Sequence, residues 1–253
     1  MRRVIAVLAP LALIALLLGG WELACRLVPL PELVLPRPGR VAAVLAEELA
    51  SGRLLRHLAV TAGEMVMGLA AGAAFALPVG ALLAESPALR RLAHPYLVAS
   101  QVVPKLALAP LFLLWFGFGM RSIIVITALV CFFPLLENTV TGLGRVDASR
   151  LELFRMLRAS RWQTLLRLRL PAGLPVILAG FRVAVVLALV GAVVGEFIGA
   201  SRGLGALIIA AQGSMDTPLM FAVLVLVSVL GLLAYQGTLL IERRLLRPYL
   251  QAS

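Results

Sequence analysis

One lysine stands among the 23 basic residues of this 253-residue sequence, and aspartate, histidine and cysteine occur only twice each. Each shortage closes a class of chemistry. The lone lysine, Lys105, follows Val103 and Pro104 with no GxxxxGK[ST] around it, so the chain supplies no Walker A phosphate loop. Asp147 and Asp216 lie far apart, whereas a lipid-phosphate transferase needs clustered aspartates. Cys25 and Cys131 sit in separate apolar runs without CxxC or Cys/His spacing, which leaves no disulfide framework, no metal site and no expected cofactor. Ser214, in QGSMD, lacks both the G-x-S-x-G frame and the membrane histidine of a serine protease. His57 and His94 flank apolar runs and read as ordinary surface residues. No catalysis by this chain is expected.

What the sequence has in excess is apolar surface. Hydrophobic residues make up 62% of the chain and the mean hydropathy is +1.03, beyond what a water-soluble domain carries. Six uncharged or nearly uncharged runs follow: Val4–Trp21, Met65–Ala84, Pro95–Met120 broken by Lys105, Ser122–Leu143, Gly173–Gly199 and Thr217–Ile241. Each reaches the roughly 20 residues a helix needs to cross hydrocarbon. None alternates as a barrel strand does, so an all-α integral membrane protein with six transmembrane helices is expected. The first run resembles a signal peptide, but Glu22 in ELAC and the lack of an A-x-A site make it a retained span.

The net charge of +11 comes without aromatic-basic alternation, which argues against nucleic acid and for an orientation signal. Placing both termini in the cytoplasm assigns fourteen arginines to inner segments and seven to outer ones, the favoured bias. The expected organisation is a first helix over 1–28 and a periplasmic connection over 29–57. A core over 58–247 holding helices 2–6, with a cytoplasmic loop at 145–172, and a tail over 248–253 complete it. Within the outer connection, Val41, Val44, Leu45 and Leu49 recur at helical spacing after rigid prolines, so a short interfacial amphipathic helix is expected.

The inner segment Ser149 to Pro171 carries six arginines and one carboxylate, Glu152. Ser149 with Glu152, and Ser160 with Gln163, form two capping-box patterns, which predict helices over Arg150–Leu157 and Arg161–Leu168 joined near Arg158 and Ala159. Pro171 is expected to stop the second. Leu151, Phe154 and Leu157 share one face of the first helix; Trp162, Leu165 and Leu166 nearly do so on the second. Such a hairpin either lies on anionic headgroups or docks a cytoplasmic partner.

The segment resembles the signature loop of the permease subunits of bacterial ABC importers: EAA, three residues, Gly, nine residues, then I-x-L-P. Here Glu152-Leu153-Phe154 is followed at the same spacing by Arg158 and by Leu168-Arg169-Leu170-Pro171, so glutamate and Leu-Pro match while the alanines and glycine do not. PLFLLWFGFG, CFFPLLENTVTGL and GEFIGASRGLGALI are similar to the nitrate/sulfonate/taurine-type branch, in order, from about Leu35 to Arg247. The resemblance implies a type I ABC importer permease whose coupling hairpin, between helices 4 and 5, docks a separate ATPase homodimer. The docking residues would be Ser149, Glu152, Phe154, Leu157, Arg158, Ser160, Arg161, Trp162, Gln163, Leu170 and Pro171. It further implies a second permease copy, a periplasmic or lipid-anchored binding protein, a bacterial inner-membrane location, and a small anionic solute or, alternatively, a pyrimidine- or riboflavin-like vitamin precursor. An ATP-independent transporter or channel is the competing reading, with the hairpin merely facing lipid. Where the family has glycine, Arg158 at a left-handed helix end costs on the order of 1 kcal/mol.

The remaining polar residues have two readings each. Ser100, Gln101 and Lys105 lie among Pro95, Pro104 and Pro110, where a broken helix often borders a substrate path, but Lys105 equally snorkels or pairs with a carboxylate. Glu137 and Asn138, after Pro134, either face that path or bond helix to helix. Glu196 either lines the path or holds a polar partner at a helix crossing. Gly191, Gly195 and Gly199 form a stripe for close helix packing. Arg182 lies a third of the way into its span, within reach of cytoplasmic water.

Overall fold

The computed structural model describes residues 2–28 and 31–250, with side chains for 12–28 and 31–247; the expected tail from 251 and the start of the outer connection at 29 and 30 lie outside it. The described chain is helical with no strand. In order, it forms α1 (Arg2–Leu27), α2 (Pro38–Ala50), α3 (Arg53–Glu85), α4 (Pro87–Val102), a 3₁₀ turn (Lys105–Leu108) and α5 (Ala109–Phe116). Then follow α6 (Met120–Gly144), α7 (Ala148–Met156), α8 (Arg161–Thr164), a π turn (Leu165–Arg169), α9 (Leu170–Gly199), α10 (Leu204–Gly213) and α11 (Thr217–Leu250).

Four continuous helices are long and apolar enough to cross a membrane, at Arg53–Glu85, Met120–Gly144, Arg161–Gly199 and Thr217–Arg247. The pair Pro87–Val102 and Lys105–Phe116, bent by 77°, is apolar enough together to count as a fifth, broken span or as a re-entrant loop. The run expected as the first span falls on α1, a helix of 26 residues. The third expected span is thus a broken one. Val103 is extended (φ −65°, ψ 123°), since the residue before a proline is pushed from the helical region, and Pro104 has no N–H to continue the ladder.

α3, α6 and α9 form the centre of the bundle. Their core is aliphatic: Ala76, Leu83, Ile123, Leu135, Ala184 and Ala188 are buried in one cluster that α4 and α11 flank with partly buried side chains. Small residues let these helices meet. At the α6–α9 crossing a Cβ on Gly142 would lie 2.8 Å from the Gly173 carbonyl oxygen, and one on Gly173 would lie 2.7 Å from the Gly142 carbonyl carbon, so neither position admits a side chain. A second cluster, at the end where α3 and α11 begin, joins Leu54, Leu204, Leu207, Ile208 and Val223, with Val44, Leu45 and Leu49 of α2 packed against it. α10, between the fifth and sixth apolar runs, is the buried centre of that cluster.

Candidate functional site

The hairpin occupies the opposite end of the bundle, between α6 and α9. Its first helix starts two residues earlier than the sequence pattern suggests. Asp147, not Ser149, is the N-cap: its Oδ1 accepts from the Ser149 N–H at 3.4 Å and from the Ser149 hydroxyl at 3.3 Å. An aspartate caps as well as serine and adds a negative charge at the positive end of the helix dipole, so it outcompetes Ser149 and leaves Glu152 exposed outside any capping box. The second box forms. Ser160 Oγ accepts from Gln163 N at 3.2 Å while Ser160 N donates to Gln163 Oε1 at 2.8 Å.

Between them Arg158 takes the left-handed conformation, φ 51°. Its N–H donates to Arg155 O at 2.9 Å, and the Ala159 N–H reaches back to Phe154 O at 3.0 Å. These are the two bonds of a Schellman turn, with Arg158 at the position glycine favours. The same turn recurs where α10 ends, with Met215 at φ 56° and bonds from Met215 N to Gln212 O and Asp216 N to Ala211 O.

Pro171 does not stop the second helix. α8, the π turn and α9 run on as one helix of 39 residues, Arg161–Gly199. The π turn is the reason: the Leu170 N–H bonds to Leu165 O, five residues back, which widens the coil ahead of the proline ring. The hairpin is therefore continuous with a helix that crosses the whole bundle. On its surface Leu153, Met156, Leu157 and Trp162 are exposed, Trp162 by 72%; Phe154 is half-buried, and Leu170 and Pro171 lie at the root.

A second group of residues converges at the α4 break. Gln101, Lys105, Glu137 and Asn138 line one open cleft of about 590 Å³ with Val130, Phe133 and Pro134. Two prolines shape it: Pro104 ends α4, and Pro134, inside α6, leaves the Val130 carbonyl without its helical donor. Lys105 Nζ lies 4.5 Å from the Phe133 ring centroid, a cation–π contact. Glu137 is exposed to the cleft and has no cation within 4.0 Å among the described residues. Asn138 Nδ2 donates to Pro134 O at 2.8 Å. Ser100 stands apart from this cleft, its hydroxyl donating to Leu97 O at 2.7 Å.

Glu196 is elsewhere, near the α10 end, and only 1% exposed. Its Oε1 accepts from the Thr61 hydroxyl at 2.7 Å and its Oε2 from the Gly205 N–H at 2.5 Å, while Thr61 Oγ1 accepts from Leu204 N at 2.8 Å. The carboxylate thereby ties α3 and α9 to the start of α10, where unpaired N–H groups need acceptors. His57 joins the same corner, its Nδ1 2.8 Å from the Gly203 carbonyl oxygen and 3.1 Å from Gly203 N, so it is more than a surface residue. Glu64, one turn along α3 from Thr61, is buried against Glu196. The sequence reading starts its second span just after Glu64 because of that charge; a glutamate seven residues after His57 and three after Thr61, on one helical face, is the signal it passes over. The glycine stripe lies against α6 and α5: Cβ atoms would stand 3.0 Å from Thr127 Cα at Gly191 and 3.2 Å from Ile123 Cγ2 at Gly195, and at Gly199 would meet the Leu113 side chain. Arg182, its side chain partly exposed, pairs with Glu242 of α11 at 3.2 Å.

Residues 76–247, which hold both the hairpin and the cleft, match the family model described as binding-protein-dependent transport system inner membrane component. The chain belongs to this family. It is 38% identical over 231 residues, covering 91% of itself and 94% of the relative, to a probable ABC transporter permease protein of Haemophilus influenzae. It is also 39% identical to the riboflavin transport system permease protein RibX of Chloroflexus aurantiacus, with 92% and 87% covered. With the formylaminopyrimidine transport permease protein ThiX of Halalkalibacterium halodurans it shares 35% identity, with 97% and 98% covered. The fold is that of a chain in the inward-facing MetNI methionine ABC transporter: TM-score 0.67, 22% identity, with 76% of this chain and 95% of that one covered. The molecule is thus a membrane permease subunit of an ABC importer, with the type I permease fold. Its sulfonate- and taurine-type relatives include TauC of Escherichia coli, 31% identical over 92% of this chain.

Proposed function

We propose that this permease subunit pairs with a second copy of itself to form the path of a small anionic solute of the nitrate, sulfonate or taurine class, and that a separate ATPase homodimer drives it through the 149–171 hairpin. The observation that carries the reading is mechanical. The hairpin presents Leu153, Met156, Leu157 and Trp162 to the outside and continues without a break into the 39-residue helix of α8 and α9. A push on those side chains moves α9 as a rod, and α9 packs along α3 and α6 at the centre of the bundle. A hairpin serving only to rest on lipid needs no such rigid connection.

The cleft at the α4 break supplies the solute side. Lys105 and Glu137 are both free of ion pairs among the described residues, so a charged solute finds partners there without first breaking protein contacts. Riboflavin- and formylaminopyrimidine-transporting relatives favour a second substrate reading, a vitamin precursor stacked near Phe133 between the Gln101 and Asn138 amides. With both termini in the cytoplasm, the opposite face carries Arg53, Arg56 and Arg202 around a recess of about 620 Å³, a basic surface for acidic residues of a substrate-binding protein in the periplasm. The test is co-purification: the tagged chain should retain an ATPase subunit, and Glu152→Lys should release it. Retention by the variant, or no ATPase with the wild type, would sink the docking role. The solute is read separately, by the thermal shift that taurine, alkanesulfonates, nitrate, riboflavin and pyrimidines each produce in the cognate binding protein.

A further inference from the structure

Two cavities meet where the hairpin touches the end of α3. The first, about 490 Å³, lies between the α3–α4 corner and the hairpin; Glu85, Ser86, Arg155, Arg161, Thr164 and Arg169 line it. The second, about 470 Å³, runs along Pro78, Ala81 and Leu82 of α3 beneath Trp162 and Leu165, and it shares Glu85 and Arg161 with the first. One chamber is a bowl of guanidinium groups, the other an apolar groove, and Glu85 and Arg161 border both.

The bowl is short of negative charge. None of its three arginines has a carboxylate within 4.0 Å among the described residues. Arg169 alone has a protein acceptor, the Ala84 carbonyl at 3.0 Å, which fixes its guanidinium while leaving other N–H groups free. The first turn of the 16-residue α4, capped by Ser86, forms one wall and adds the positive end of its dipole. The groove, in contrast, leaves Leu82 57% and Trp162 72% exposed. Both sit where membrane-spanning helices end, the level at which tryptophan and arginine meet headgroups.

We propose that this composite site holds one anionic glycerophospholipid of the phosphatidylglycerol kind, its phosphodiester in the Arg155–Arg161–Arg169 bowl and an acyl chain along Pro78, Ala81 and Leu82. Guanidinium pairs match phosphate oxygens in a bidentate way, and three of them exceed what a neutral headgroup requires. Glu85, at the junction, accepts the headgroup hydroxyls, a role a choline headgroup cannot fill. The lipid then wedges α3 against the hairpin and sets the hairpin's angle to the bundle. The site shares Arg161 and Trp162 with the proposed docking surface but draws Arg155, Arg169 and the end of α3 from outside it.

The experiment is native mass spectrometry of the intact transporter released from nanodiscs of equal phosphatidylglycerol and phosphatidylcholine. Wild type should keep one phosphatidylglycerol per permease copy in clear preference to phosphatidylcholine. Removing two arginines, each worth a factor of about five near a membrane surface, should lower retention in Arg155→Ala/Arg169→Ala by about twenty-five-fold. Arg90→Ala/Arg91→Ala, which line a neighbouring recess outside both cavities, should leave it unchanged. Equal retention of both lipids by wild type overturns the proposal without recourse to any variant. So does equal loss in the two double variants, which would mean diffuse surface charge, or displacement of the lipid by millimolar inorganic phosphate, which would mean a free-anion site. ATPase co-purification, read on the same preparations, reports docking separately: a variant that sheds lipid yet keeps its ATPase leaves the proposed function standing.

Discussion

At the scale of single residues, the two left-handed positions explain what a sequence pattern alone leaves open. Arg158 occupies the fifth position of a Schellman turn, where L side chains with a Cβ are strained and glycine is not. Arg158→Gly is therefore expected to stabilise the folded permease by about 1 kcal/mol, read as a raised midpoint in detergent unfolding, with ATPase retention unchanged. Thr61 is a second residue with a measurable role. Its hydroxyl donates to Glu196 and accepts from Leu204, so Thr61→Val leaves a buried carboxylate oxygen and a helix-start N–H without partners. The expected loss is about 1–3 kcal/mol, seen as a lower unfolding midpoint. Thr61→Ser, which keeps the hydroxyl, should retain most of the stability.

At the scale of elements, the hairpin depends on its caps and on one widened turn. Ser160→Ala removes the side-chain half of the box that starts α8 and should cost about 1 kcal/mol, with faster amide exchange confined to residues 160–165. The Leu165–Arg169 π turn does something no cap can do: it lets the chain pass Pro171 without breaking. Pro104 has the opposite outcome: Val103 before it is extended, and the chain bends by 77° instead. The same residue type thus ends one helix and is absorbed by another, and the difference lies in the backbone ahead of the ring.

At the scale of the whole molecule, the proposed function couples the hairpin to the cleft through α9. Lys105 tests that coupling from the solute side. Lys105→Gln removes a charge-assisted contact worth about 1.5–3 kcal/mol, so uptake of an anionic solute in vesicles should fall by about tenfold or more while ATPase association stays intact. Unchanged uptake would move the path away from the α4 break. The Arg182–Glu242 pair belongs to this scale too, because it joins α9 to α11, the helix that closes the bundle.

The apolar runs, the absent Walker A loop and the Ser160–Gln163 box were legible in the amino-acid order, since each rests on local periodicity or spacing. Glu196 was legible as an anomaly, with a polar tie as one of its two readings, but its partners were not: Thr61 and Gly205 are 135 and 9 residues away. Glu64 went unread and His57 was read as a surface residue for the same reason, and Asp147 displaced Ser149 because two good caps stood two residues apart. Gln101, Lys105, Glu137 and Asn138 were each readable as polar residues near prolines; their meeting in one cleft required the α4 break to fold back on α6. Sequence by itself determined a helical membrane chain with a basic, capped hairpin, because burial in lipid and helix capping act within a turn or two. Which charges face one another, which proline bends the chain and where arginines gather into a bowl were decided only by tertiary packing, because those contacts join residues that only the packed bundle brings together.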